Sequence, residues 1–201
     1  MFVGHFGIAE IGKGTRRNLS FGWLLVAAYL PDVTRVAVAP FTDQIDMLSH
    51  SIPSVVFLAV TIAGLWKLRG GRGLDACVLA AACLLHWPAD MFTGCKPTVP
   101  GGPWIGFVNY HRPLNDIALE TALLIGGWAF AKRSGFAVRK WWIALLFVAQ
   151  LGFLGVTYYG AELLIGDREW MWRPWETLVP QPHVLERVTC RPPATTVHRQ
   201  R

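Results

Sequence analysis

The sequence predicts an all-α membrane protein, a polytopic transmembrane bundle of about five helices preceded by a short N-terminal helix. Three observations carry that expectation. The chain is 53% hydrophobic with ten Trp, and its mean hydropathy is +0.35, which places it with membrane-embedded rather than globular chains. Its apolar residues gather into runs of about 18 or more, long enough for a bilayer core of about 30 Å. Short clusters of Lys and Arg punctuate those runs.

The elements follow in order. Residues 1–12 form an apolar, glycine-containing stretch that measures about 18 Å as a helix, too short to span and therefore interfacial or half-inserted. No basic start and small-residue cleavage site marks a signal peptide, so this stretch is expected to belong to the mature chain. Residues 19–39 form the first span, interrupted by Pro31, Asp32 and Arg35; a proline removes a backbone donor, so the interruption needs protein or a polar cavity around it. The second span, residues 47–66, opens with Ser49, His50, Ser51 and Pro53. Residues 74–92 form the third, with His86, Pro88 and Asp90 near its end, and residues 115–131 the fourth, with Asp116 and Glu120 in its first turns. The fifth span covers residues 141–165. Residues 1–166 thus form one membrane-embedded helical domain, and residues 167–201 a Pro- and Arg-rich surface tail.

Charge then orients the bundle. The net charge is +6, but the excess lies in three turns, around Lys13 to Arg17, Lys67 to Arg72 and Lys132 to Lys140, which hold ten Lys and Arg between them. The positive-inside rule accounts for these clusters without nucleic acid, which is not an expected partner. The basic turns are expected in the cytoplasm of a bacterial-type inner membrane, with residues 40–46 and 91–115 outside. Cys77, Cys83, Cys95 and Cys190 form no CxxC pair and no regular framework, and Trp141, Trp142, Trp170, Trp172 and Trp175 read as interfacial anchors. Glu162, Gln150, His183 and His198 carry no assigned chemistry.

Against this apolar background the ionisable residues stand out: His5, Asp32, His50, His86, Asp90, His111, Asp116 and Glu120. A carboxylate inside a bilayer costs several kcal/mol, so such residues face a cavity, a partner or an ion. The orientation above places the acids and histidines of the four spans in the outer half of the membrane. His86 with Asp90, and Asp116 with Glu120, stand four residues apart and share a helix face. Each has a plainer reading too. Ser49 could cap a helix beginning at His50, Asp116 suits the dipole of a first turn, and His111 beside Arg112 lies in a loop. Imidazole suits zinc and other transition metals, whereas carboxylates also accept manganese or magnesium.

The order Gly4-His5, Pro31-Asp32, Ser49-His50-Ser51, His86 with Asp90 and Thr93, a Gly-Pro segment and Leu119-Glu120 resembles the YdjM-like inner-membrane metal-dependent hydrolase family over roughly residues 1–132. That family is similar in ligand order to zinc-dependent phospholipase C. The resemblance implies His5, Asp32, His50, His86, Asp90 and Glu120 as metal ligands. Asp116 stands where the phospholipase pattern has a histidine, so a second ion would meet an altered ligand set.

The expected function is a membrane-bound hydrolase of phosphoester or lipid headgroup substrates that uses a metal-activated water. Asp116 or Glu120 would act as general base, and Arg112 would receive developing phosphate charge. Two alternatives remain at this stage: a structural or regulatory membrane protein with a non-catalytic metal site, and a small proton- or ion-coupled transporter.

Overall fold

The computed structural model describes residues 3–42, 45–107, 113–136 and 140–155. They form a mostly helical structure: α1 (Gly4–Thr15), α2 (Phe21–Val38), α3 (Ile45–His50), α4 (Ile52–Leu68), α5 (Gly73–Thr93), the two-residue strands β1 (Lys96–Pro97) and β2 (Trp104–Ile105), α6 (Pro113–Arg133) and α7 (Lys140–Gly155). The tail 167–201, His111, Arg112, Glu162 and Cys190 lie outside the described residues. Among the described helices, α2 and α5 are long and apolar enough to cross a membrane, and α4 is apolar but shorter.

The short first helix is not a surface element. Gly4, His5, Gly7, Ile8, Ala9, Glu10 and Gly12 are all buried, and α1 packs on α6 most extensively, then on α2 and α5. Glycine makes the α1–α6 crossing close. A Cβ on Gly7 would overlap the backbone carbonyl of Leu123, and one on Gly127 would overlap that of Gly7. Small residues at a crossing let backbones approach until van der Waals contact, without an apolar side chain between them, holds the pair. The two helices run parallel, since the start of α1 meets Glu120 and Gly14 near its end meets Phe130.

Two departures from the expected spans have local causes. The segment expected as the second span is two helices, because Ser51 is extended (φ −72°, ψ 153°) and caps α4 by accepting from the Ser54 amide, with Pro53 in the first turn. The cap is Ser51, so Ser49 is left for another partner. The first span, expected to be interrupted, is continuous: α2 passes through Pro31 and Asp32 to Val38. Pro31 leaves the carbonyl one turn earlier without its amide and crowds that turn. The neighbouring carbonyl, that of Ala28, is met by a histidine from α5.

The three basic turns gather at one end. Arg16 pairs with Asp75 at the start of α5 at 2.7 Å, Lys13 lies over the Phe136 ring, and Gly135 abuts Arg17. Ligand-type residues sit toward the other end: His86 is about 20 Å along α5 from its cap at Arg72. Between the ends, the outward faces are apolar, with Val33, Val36, Phe57, Val60, Leu74 and Val148 all more than half exposed.

Candidate metal centre

Asp32, His50, His86 and Asp90 converge at the end opposite the basic turns, each offering one donor atom within 4.8 Å of the others. Three elements deliver them: the late part of α2, the last residue of α3, and one face of α5, which carries His86 and Asp90 four residues apart. The edges between donors are short. His50 Nε2 lies 3.2 Å from His86 Nε2, 3.3 Å from Asp32 Oδ1 and 3.3 Å from Asp90 Oδ2. His86 Nε2 lies 3.4 Å from Asp90 Oδ2 and 3.8 Å from Asp32 Oδ1. A tetrahedral ion with ligands at about 2.0–2.2 Å has edges of about 3.3–3.6 Å, so the edges around His50 and the His86–Asp90 edge are close to those of such a site, and the His86–Asp32 edge is longer.

Hydrogen bonds fix which nitrogens face inward. His86 Nδ1 is 2.8 Å from the carbonyl of Ala28; a carbonyl only accepts, so Nδ1 carries a proton, and in the neutral ring Nε2 presents a lone pair. Ser49 Oγ donates to the Ile45 carbonyl at 2.8 Å and therefore accepts from His50 Nδ1 at 2.7 Å. His50 Nε2 is thereby left with a lone pair as well. Two imidazole lone pairs facing each other, with two carboxylate oxygens at the same point, repel unless a metal ion or a shared proton lies between them.

The remaining nominated residues surround this core. The His5 ring stacks on His86 with centroids 3.9 Å apart. It faces the other oxygens of the same acids, at 3.5 Å from Asp90 Oδ1 and 3.8 Å from Asp32 Oδ2. Glu120 is not among the four converging donors. Its Oε2 accepts the amides of Val3 at 2.6 Å and Gly4 at 3.0 Å, satisfying the first donors of α1 and so positioning His5. Asp116, one turn before Glu120 on α6, is buried with no hydrogen-bond partner on either oxygen among the described residues. His111 and Arg112 lie outside them.

Ser49, read from sequence as a possible helix cap, is instead the acceptor that orients His50. Two charged residues, Glu10 and Lys96, were not singled out from sequence. Glu10 is fully buried on α1 with neither oxygen hydrogen-bonded among the described residues. Lys96 reaches from β1 to Asp90 Oδ2 at 2.7 Å, with its side chain only 12% exposed; its one sequence signal was to be a lone lysine shortly after the HxxxD pair. Among the four converging residues Asp32 is the most accessible, with 35% of its side chain exposed, so the cluster opens on the α2 side. No family model matches the chain, and no curated protein or solved structure matches it either.

Proposed function

We propose that the chain is an integral membrane, metal-dependent hydrolase that cleaves a phosphoester or lipid headgroup. The observation that carries this reading is the pair of inward-facing Nε2 atoms of His50 and His86, 3.2 Å apart, completed by Asp32 and Asp90 at tetrahedral spacing. The membrane assignment is supported by apolar outward faces around a polar interior, and the orientation by the basic turns gathered at the end away from the site.

His50, His86, Asp32 and Asp90 would hold the ion, most simply zinc, with manganese or magnesium as the alternatives that carboxylates admit. When bound, the ion supplies Lewis acidity and makes water a competent nucleophile near neutral pH. Ser49 and the Ala28 carbonyl keep both imidazoles in the ligating tautomer. Asp116 is the better candidate for general base, because Glu120 is engaged with the amides of α1 whereas the Asp116 carboxylate has no such engagement. His5 faces the second oxygens of both acidic ligands from the first turns of α1.

A structural ion is the second reading, favoured by one observation: four protein donors fill a tetrahedron, as in closed structural sites, whereas hydrolytic sites keep one position open. Elemental analysis of the detergent-purified protein beside His86→Ala/Asp90→Ala, followed by hydrolysis of bis(4-nitrophenyl) phosphate, separates the two. Stoichiometric metal and turnover, both lost in the variant, support the hydrolase. Metal that raises thermal stability without turnover of any phosphoester supports the structural ion, and no metal in either protein refutes both.

A further inference from the structure

Among the described residues, the Lys96 ammonium is paired with Asp90, a carboxylate that the metal would also claim. Its Nζ lies 2.7 Å from Asp90 Oδ2, the same oxygen that stands 3.3 Å from His50 Nε2 and 3.4 Å from His86 Nε2. The backbone holds the lysine there. Lys96 pairs with Ile105 in the β1–β2 hairpin, and the Thr98 carbonyl accepts from the Ile52 amide at 2.9 Å, which ties the hairpin to the start of α4 beside His50.

We infer that Lys96 is the substrate-binding residue that selects an anionic group, a phosphate ester rather than a neutral ester or amide; this inference rests on the metal-site reading above. A divalent ion that takes Asp90 Oδ2 repels an ammonium bound to that oxygen, and the lysine's four-carbon stem allows the head to swing away. The head cannot go far, because its side chain is largely enclosed, and a partly buried ammonium without a counter-charge is unfavourable. An anion held beside the ion and accepting from Lys96 would satisfy both cations at once. Neutral substrates leave the ammonium unpaired, so the device discriminates by charge.

The test uses inorganic phosphate and the full-length, zinc-loaded protein. Calorimetric titration of wild type, Lys96→Met and Lys96→Arg should show phosphate affinity about tenfold or more weaker in the methionine variant and within about threefold of wild type in the arginine variant, at unchanged zinc content. In the wild-type protein, acetylation of Lys96 by acetic anhydride, read by mass spectrometry, should rise on zinc loading and fall again on adding phosphate. This second measurement decides the matter should Lys96→Met fail to fold. Zinc binding with phosphate affinity unaltered by Lys96→Met, or Lys96 labelling indifferent to phosphate, overturns the inference alone. A wild-type protein that binds no metal overturns the site reading and this inference with it.

Discussion

Ser49→Ala tests the centre without touching a ligand. The serine hydroxyl connects the Ile45 carbonyl at 2.8 Å to His50 Nδ1 at 2.7 Å, and both Ser49 and His50 are fully buried. Alanine keeps the helix but leaves the Nδ1 proton without an acceptor, a buried unsatisfied donor worth about 1–3 kcal/mol. His50 can escape that penalty by moving its proton to Nε2, which removes the lone pair the metal needs. Either route weakens metal binding, by about tenfold to a hundredfold, the range that loss of an orienting partner brings to other metal-binding histidines. Competition with a chromogenic chelator on the detergent-purified protein measures the change, and Ser49→Thr, which restores a hydroxyl, should recover most of it. Metal affinity in Ser49→Ala within about twofold of wild type would refute the argument that this hydroxyl sets the His50 tautomer.

Two further outcomes are expected. Asp116→Asn should lower phosphodiester hydrolysis by about a hundredfold or more while metal content stays stoichiometric, since an amide cannot accept the proton that a general base must take; unchanged turnover would remove Asp116 from the reaction. Gly127→Val should destabilise the protein by about 1–3 kcal/mol, read as a lower melting temperature in detergent, because its side chain meets the Gly7 backbone, which cannot yield without parting α1 from α6. The same variant should lose metal affinity through His5, whereas an identical substitution at Gly64, where a Cβ meets nothing, should leave affinity unaltered.

What could be read from the sequence followed periodicity and charge. His86 and Asp90 needed only the helical repeat to share a face, and the basic clusters needed only the positive-inside rule to be placed at one end. The break after His50 was harder. Its serines and proline announced a helix start, but the cap is Ser51 and not the expected Ser49, because it is Ser51 whose backbone is extended. Pro31 misled in the other direction, since α2 tolerates it, and the carbonyl exposed nearby serves a histidine that is 58 residues away in sequence. Long-range partners of that kind leave no local signature. Lys96 did not stand out because its value comes from a hairpin that brings it to Asp90 on α5, and the burial of α1 came from glycines matched on α6, a complementarity no single segment displays.

The carboxylate of Asp90 is shared by at least four side chains: His50, His86 and Lys96 at one oxygen and His5 at the other. Shared ownership means that the shape of the pocket and its charge cannot be tuned independently. Replacing any one of the four changes the position and electron demand of the same acid, and the other three respond. Free-energy changes from single substitutions in this cluster will therefore fail to sum in double variants. The departure from additivity, mapped pair by pair, would trace which partners draw on Asp90 most strongly.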